Sequence, residues 1–352
     1  MLTENYGNAS SLHSKGFYAQ RVVEETRELT AEQIGAETKE IFFTSGGTEA
    51  NNLAVLGTAF RRQKIGNKII TSAVEHSSVA EACKYLQTQG FEVVRLPVDK
   101  NGAVSIEDIA EATDSRTILI SLMYANNETG TIQPVDSVRS VIRQKKSPAY
   151  FHIDAVQAFG KIPFKNTKLK ADMISLSGHK IHAPKGIGAL YVKKGTVITP
   201  RQYGGEQQEK IRPGTESTPL IAGLGQAIRE IHYSHGETVR QLNAYLRERL
   251  SVLEEVTIHS PQDALAYILN FSVRGIKSET MMHFLENKNI YVSSGSACAK
   301  GKQSYVLQAM GLNKSQTDTA LRVSFSRDNT KEEIDIFVDV LSAGIHSIVG
   351  RQ

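Results

Sequence analysis

IFFTSGGTEANNLAVLGTAFRR, residues 41–62, has the pattern of a strand, a turn and a helix in that order. IFFT is a short apolar run typical of a buried strand, and the adjacent glycines at positions 46 and 47 indicate a turn. A helix is predicted from about Ala50 to Arg62. The stretch therefore has the form of one strand-to-helix step of an α/β fold.

The same alternation continues on both sides of this stretch. Helices are predicted at about residues 11–34, 77–89 and 135–145, and strands at KIITS, FEVVRL, TILISLM, YFHID and MISLS. Strands separated by helices require right-handed crossovers and a mostly parallel sheet. The first part of the chain is therefore expected to be an α/β domain.

The pattern changes in the last third of the chain. A long helical stretch is predicted from about Pro219 to about Leu253, followed by short strands at AYILNFS, NIYVSS and ALRVSFS and a last helix after Asn329. These elements are typical of a smaller α+β domain. We expect a large α/β domain at residues 1–235 and a small C-terminal α+β domain at residues 236–352.

Composition excludes several classes of protein. The 352 residues carry 41 Lys and Arg against 37 Asp and Glu, a formal net charge of +4 that is too small to indicate a nucleic-acid surface. Two cysteines far apart favour neither a disulfide framework nor a zinc site. The amino terminus has no secretory pattern, and the longest apolar run is too short to span a membrane. A cytoplasmic protein is expected.

Polar residues follow several of the predicted strands at the point where each strand ends. Parallel strands end at one edge of a sheet, so these side chains are expected to meet in one crevice. Each has a simpler interpretation as well: a glycine turn, a loop histidine, a turn-forming amide or a helix cap. SGGTE, for example, fits neither the dinucleotide nor the P-loop pattern. The residues of this edge are Thr48, His76, Asn127, Asp154 and Lys180.

Together these residues supply the parts of a pyridoxal phosphate (PLP) site. Lys180 would form a Schiff base with the cofactor aldehyde, and Asp154 would keep the pyridine nitrogen protonated. A strand-to-helix turn at Thr48 would hold the phosphate. Ser177 and His179 flank Lys180 and are further candidates for phosphate contacts.

Seven motifs resemble one known family. TSGGTEANNLA, VEHSSV, NNETG, HIDAVQAFGK, SLSGHKIHAPKGIGALYV, RPGTES and SSGSACAKG occur in the order found in the cysteine desulfurases, the NifS/IscS-like branch of the class V aminotransferases. The resemblance covers nearly the whole chain. It implies a fold-type I homodimer with a mostly parallel seven-stranded-type sheet and PLP as cofactor. It also implies L-cysteine as substrate, L-alanine as product and sulfur left on the enzyme as a persulfide.

The resemblance also implies roles for individual residues. His76 would stack on the cofactor ring and move protons, and Asp154 would pair with the ring nitrogen. Arg322 would bind the substrate carboxylate, for which a planar guanidinium is well suited. Gln157 and Asn127 would lie near the ring hydroxyl and the substrate. The phosphate would be bound by Gly47, Thr48, Ser177 and His179, joined by Thr215 from the other subunit.

Cys298 is the residue that would carry the sulfur. It lies in SSGSACAKG, a run of small residues typical of a loop, and the nearby Lys300 and Lys302 would help to lower the pKa of its thiol. Cys83 is expected in the core without a role. The acceptor would be another protein: an iron–sulfur scaffold, a tRNA-thiolating enzyme or an enzyme of thiamine synthesis.

Two alternatives remain open at this point. A selenocysteine lyase or an aminotransferase of the same family would share the cofactor residues without needing Cys298. A chain of impaired activity is the second alternative, because relatives usually carry a segment resembling YLDNAATTP upstream of the position of Met1. Two smaller departures from the family pattern are a slightly short loop at AKGKQ and Ala183 in place of a frequent glycine.

Overall fold

The computed structural model describes residues 6–294 and 303–349. The chain divides into two compact units. The first comprises Met1–Leu96, Ser105–Tyr124 and Pro134–Ile231. The second comprises Pro97–Val104, Ala125–Gln133 and His232–Gln352, so two short segments that precede the predicted division at residues 235 and 236 belong to it.

The first unit is built on a seven-stranded sheet. Its strands are β1 (Ile41–Thr44), β2 (Lys68–Ser72), β3 (Glu92–Leu96), β4 (Thr117–Met123), β5 (Tyr150–Asp154), β6 (Met173–Ser177) and β7 (Gly188–Val192). Their order in the sheet is β1-β7-β6-β5-β4-β2-β3. The strands from β6 to β3 are parallel, and β7 is antiparallel to both of its neighbours. The predicted mostly parallel sheet of an α/β fold is confirmed.

The sheet is buried because helices pack against it. The helices of this unit are α1 (Ser14–Ile34), α2 (Gly47–Arg62), α3 (Ser77–Thr88), α4 (Ile106–Ala112), α5 (Val135–Gln144), α6 (Asn166–Leu169) and α7 (Thr218–Arg229). Every residue of β1, β2, β4, β6 and β7 is buried, as expected for strands that are covered on both faces. Helix α2 carries small residues such as Ala50 and Ala54 into this core and so lies close to the strands.

The second unit contains a three-stranded antiparallel sheet, in the order β10 (Ala320–Ser324), β9 (Ile268–Val273) and β8 (Val256–Ile258). Its helices are α8 (His235–Ser251), α9 (Ser278–Glu286), α10 (Tyr305–Ala309), α11 (Lys314–Asp318) and α12 (Lys331–Val349). Leu269, Phe271 and Leu321 from the strands pack with residues of α8, α9 and α12 in one apolar cluster. Alternate residues of β9 point to the other face, as the period of a strand requires.

Two predicted elements differ from the structure. The helical stretch expected from Pro219 to Leu253 is two helices, α7 and α8, because the chain turns at residues 230–234 and passes there from the first unit to the second. The predicted strand NIYVSS is also wrong. Within residues 289–294 only Ser293 pairs, through an isolated bridge to Arg322.

No helix in the described part of the chain is both long enough and apolar enough to cross a membrane.

Candidate active site

The ends of β1 and β6 lie on either side of the start of β7. Thr44 and Ser177, the last residues of those two strands, both pair with Gly188. A Cβ atom at Gly188 would lie 2.7 Å from the Cα atom of Gly46 and 2.6 Å from the carbonyl oxygen of Leu176. Only glycine fits this position. Because glycine has no side chain, the turn after β1 can approach the end of β6.

The turn after β1 leads directly into α2. The first turn of a helix has backbone N–H groups without intrahelical partners, and the helix dipole adds a partial positive charge there. Thr48 is exposed in this first turn. A Cβ atom at Gly47 would lie 2.6 Å from a methyl carbon of Val156, so the turn also contacts the residues that follow β5. Such a helix terminus is suited to a phosphate group.

Ser177 and His179 lie beside this turn. The Ser177 hydroxyl and His179 Nδ1 are 2.9 Å apart, and the Ser177 hydroxyl lies 3.8 Å from an ideal Cβ position on Gly46. Partial desolvation and the nearby cations Lys180 and Lys161 lower the pKa of His179. The two side chains extend the polar surface that the start of α2 provides.

Asp154 ends β5 and is 5% exposed. Its Oδ2 atom accepts a hydrogen bond of 2.7 Å from Asn51 Nδ2, and its Oδ1 atom accepts one of 3.0 Å from the backbone N–H of Val156. Burial raises the pKa of Asp154, while these donors and His76 act in the opposite direction. A carboxylate with two fixed donors and lone pairs to spare is a good partner for a protonated ring nitrogen.

His76 follows β2 and is the N-cap of α3. Its Nδ1 atom accepts a hydrogen bond of 3.2 Å from the backbone N–H of Ser78, and the Ser78 hydroxyl lies 2.8 Å from the same atom. Burial lowers the pKa of His76, the charge of Asp154 raises it and that of Lys180 lowers it again. The electrostatic contact of His76 with both residues brings the predicted imidazole, carboxylate and amine into one site.

Lys180 is half-buried and lies in a short 3₁₀ helix, Gly178–Ile181, directly after β6. Gln157, which follows β5, is 8% exposed and accepts a hydrogen bond of 3.2 Å from Lys161 Nζ. Thr215 is exposed on the loop before α7. That loop is held to the start of α2 by a 2.9 Å ion pair between Arg212 and Glu49.

Among the described residues, two of the predicted site residues, Asn127 and Arg322, belong to the second unit and lie together there. Arg322 Nη1 donates a hydrogen bond of 2.8 Å to the carbonyl oxygen of Asn127, and Nη2 donates one of 3.3 Å to the Ser293 hydroxyl. The buried Glu128 carboxylate interacts electrostatically with the same guanidinium. These contacts fix the orientation of Arg322. Cys298, Lys300 and Lys302 lie outside the described residues.

Three side chains of this site were not predicted from the sequence. Asn51 and Ser78 contact Asp154 and His76, and Glu75 lies buried next to His76 in the chain. The signal for Asn51 is present in the sequence. An amide that lies on the helix face of Ala50, Leu53 and Ala54 is a polar residue on the core side of α2.

The fold and this edge of the sheet define a class of protein. The Aminotransferase class-V family matches residues 1–337, and the chain belongs to that family. The family predicted from the motifs is thereby confirmed.

Relatives within the family have more specific names. A protein of Methanosarcina thermophila named "Cysteine desulfurase IscS" is 42% identical over 347 residues, which cover 97% of this chain and 85% of that protein. A solved structure of a "NIFS-LIKE PROTEIN" is 36% identical with a TM-score of 0.92, over 100% of this chain and 93% of the other. Another, titled "SspA in complex with cysteine", is 32% identical with a TM-score of 0.82, over 93% of each chain.

Proposed function

We propose that this protein is a PLP-dependent cysteine desulfurase that converts L-cysteine into L-alanine and a persulfide on Cys298. The observation that carries the proposal is the grouping of Asp154, His76 and Lys180 in electrostatic contact at the edge of the sheet where the parallel strands end. Relatives at about 42% identity that are named cysteine desulfurases support the choice of reaction.

The residues of this edge fit PLP. The backbone N–H groups at Gly47 and Thr48, with Ser177 and His179, would hold the phosphate, and Asp154 would hold the ring nitrogen. Gln157 would lie beside the ring hydroxyl, and Lys180 is the covalent anchor. When bound, PLP supplies an electron sink that labilises bonds at the substrate α-carbon and, by conjugation, at the β-carbon.

The side chains of the protein perform the proton transfers. The Lys180 amine, where it is not bonded to the cofactor, would take the proton from the substrate α-carbon. His76 has a lowered pKa because of burial, which keeps its ring neutral near pH 7. A neutral imidazole can accept or deliver one proton at a bound ligand.

Arg322 is the proposed partner of the substrate carboxylate. Its guanidinium is already oriented by Asn127, Ser293 and Glu128 within the second unit. Preorganisation of this kind reduces the entropy that binding costs. The side chain of Asn127 is the proposed second contact to the substrate.

Cys298 is the proposed nucleophile. Its thiolate attacks the substrate sulfur, so an S–S bond forms while the substrate C–S bond breaks. The electron pair of the broken bond stays with the carbon skeleton, which takes up a proton and leaves as alanine. Cys83 is unsuited to this role, because it is 0% exposed and burial raises the pKa of its thiol to about 12.

The proposed assembly is a homodimer in which Thr215 reaches the phosphate of the partner subunit. The persulfide would pass to a second protein, either an iron–sulfur scaffold or an enzyme of tRNA or cofactor thiolation. The proposed setting is the cytoplasm, where reducing conditions keep a carrier thiol available.

Replacement of Cys298 tests the proposed reaction. Cys298→Ala should lower the rate of alanine formation from L-cysteine by at least about 10²-fold, because the acceptor of the sulfur is lost. The cofactor absorbance should persist, since Cys298 holds no part of PLP. Cys83→Ala is the matched control and should retain activity. Alanine formation at the parental rate by Cys298→Ala would contradict the proposal and favour another class V enzyme.

A further inference from the structure

A chain of hydrogen bonds joins Asp154 to His76 through two side chains that have no role in the proposed function so far. Asn51 Nδ2 lies 2.7 Å from Asp154 Oδ2 and 2.9 Å from the Ser78 hydroxyl. The Ser78 hydroxyl in turn lies 2.8 Å from His76 Nδ1. Asn51 is 1% exposed and Ser78 is 7% exposed. The chain therefore runs through a part of the first unit that is closed to bulk water.

The direction of each hydrogen bond follows from the chemistry of its end groups. If the amide of Asn51 were turned over, its oxygen would face the Asp154 carboxylate, with acceptor against acceptor. The NH₂ group must therefore occupy this position, and its two hydrogens serve Asp154 and Ser78. The Ser78 oxygen accepts from Asn51, so its own hydrogen is left to donate to His76 Nδ1.

The same histidine nitrogen receives a second donor. The backbone N–H of Ser78 also points at His76 Nδ1, at 3.2 Å. A protonated Nδ1 would place its hydrogen against both of these donors. His76 Nδ1 is therefore an acceptor, and the ring proton of the neutral form lies on Nε2.

Asn51 occupies its position in α2 at an energetic cost. Its Oδ1 atom is buried and has no hydrogen-bond partner among the described residues. A buried polar atom without a partner is uncommon and destabilising. The two N–H groups of Asn51 are the feature that explains why an amide occupies this position in α2.

We propose that Asn51 and Ser78 are positioning residues, which couple Asp154 to His76 and hold His76 as the neutral tautomer with its proton on Nε2. The meaning for catalysis rests on the proposed function. In that reaction, the atom of His76 that donates a proton to a ligand is Nε2, and Nδ1 is committed to the protein. The ionisable groups in electrostatic contact with His76 among the described residues are Asp154, Lys180 and His179.

Nitrogen NMR of the holoenzyme labelled with ¹⁵N-histidine tests this directly. The resonances of His76 are identified by their loss in His76→Gln. In the parent protein at neutral pH, Nδ1 should have the shift of an unprotonated ring nitrogen and Nε2 that of a protonated one. The reverse pattern in the parent protein would overturn the proposal without any variant of Asn51 or Ser78.

Ser78→Ala removes one donor to Nδ1 and leaves the backbone donor in place. Since both donors favour the neutral ring, the pKa of His76 should rise by roughly 0.5 to 1 unit. Ser77→Ala makes the same change one residue earlier, at a hydroxyl that makes no hydrogen bond to any described residue, and should leave His76 unchanged. An unchanged titration of His76 in Ser78→Ala would contradict the positioning role of Ser78.

A double-mutant cycle tests the coupling to Asn51. Asn51→Ala should shift the His76 Nδ1 resonance in the parent background and much less in the Ser78→Ala background, because the connection runs through the Ser78 hydroxyl. Equal shifts in both backgrounds would mean that Asn51 acts on His76 by another route and would overturn the coupling. None of these readouts depends on turnover of cysteine, so a failure of the proposed reaction would leave them unaffected.

Discussion

Glu75 is a carboxyl group in a place where ionisation is costly. It is 1% exposed, and its Oε1 atom accepts hydrogen bonds of 2.6 Å from the Ser72 hydroxyl and 3.1 Å from the backbone N–H of Met123. Through these bonds it ties the end of β2 to the end of β4, one residue before His76. Burial raises the pKa of Glu75 to about 8, and the charge of Asp154 adds to this effect.

The raised pKa predicts how stability depends on pH. Above the ordinary pKa of a glutamate, the unfolded chain ionises Glu75 while the folded chain keeps it protonated. The contribution of Glu75 to the stability of the parent protein should therefore fall between about pH 4.5 and pH 8, by up to about 1.4 kcal/mol per pH unit. Glu75→Gln abolishes this loss, so its stability relative to the parent should increase as the pH rises through that window.

Urea unfolding of the cofactor-free protein at several pH values measures this difference. Glu81→Gln, at an exposed position of α3, is the control for removing a carboxylate elsewhere. A gap between Glu75→Gln and the parent that stays constant with pH would show that Glu75 is ionised in the folded protein.

At the scale of residues, the sequence reveals the groups that end strands. His76, Asp154 and Lys180 could be predicted because a polar residue after an apolar run can be recognised from the sequence alone. Glu75 and Ser78 could not be assigned, and the sequence shows Asn51 only as a polar residue on the core side of α2, since the roles of all three come from atoms of other elements that approach them. Asn51 contacts Asp154, which is 103 positions further along the chain.

Among the elements, β5 is joined to both of its neighbours in the sheet by the hydrogen bonds of one buried side chain. His152 is 0% exposed, and its two ring nitrogens lie 2.8 Å from the Ser121 hydroxyl on β4 and 2.9 Å from the Ser175 hydroxyl on β6. Burial lowers the pKa of His152 to about 3. The imidazole is therefore neutral in the folded protein and joins three neighbouring strands.

Replacement of this histidine should destabilise the first unit. His152→Leu leaves two buried hydroxyls without this partner, and we expect a loss of about 2–5 kcal/mol in the free energy of unfolding at pH 7. This difference should become smaller as the pH falls below about 6.5. The free energy of unfolding of the parent protein then decreases, because His152 is protonated in the unfolded chain and stays neutral in the folded one, and the variant has no such group. Denaturant unfolding at pH 7 and pH 5 measures both effects.

His283→Leu is a matched control at an exposed position of α9 and should change the stability by no more than about 0.5 kcal/mol. If His152→Leu were as stable as this control at both pH values, the hydrogen bonds of His152 would not stabilise the first unit.

The sequence predicts an element well where its apolar run has a clear beginning and end. The strands β1, β2, β4, β5 and β6 have the predicted bounds, because each is a short apolar run between polar residues. Strand β7 was not among the predicted strands of the sheet, since it follows β6 without an intervening α-helix and runs antiparallel. The division of the helical stretch into α7 and α8 was missed for a different reason, because residues 230–234 contain neither glycine nor proline.

At the scale of the whole molecule, the sequence does not predict to which unit two short segments belong. Pro97–Val104 and Ala125–Gln133 lie between elements of the first unit but belong to the second. Contacts such as the hydrogen bond of 2.8 Å from Arg322 to Asn127 determine this membership. Nothing in the composition of either segment indicates it.

The proposed dimer can be tested with hybrid molecules. Thr215→Ala should weaken cofactor binding by about 10- to 100-fold, because a hydrogen bond to a charged phosphate is lost. A hybrid of one Thr215→Ala subunit and one Lys180→Ala subunit has one intact site if Thr215 acts on the partner subunit. It should therefore retain cofactor at one of its two sites after dialysis. If Thr215 acts within its own subunit, the hybrid has no intact site, and retention as low as in Thr215→Ala would contradict the trans role.

The proposed function depends on Lys180 as the covalent anchor of the cofactor. Borohydride reduction of the holoenzyme, followed by proteolysis and mass spectrometry of the peptides, identifies the lysine that carries the cofactor. We predict a phosphopyridoxyl group on the peptide that contains Lys180, and none on the nearby Lys161 or Lys185. A label on a different lysine, or no label in protein that has the cofactor absorbance, would show that Lys180 is not the anchor.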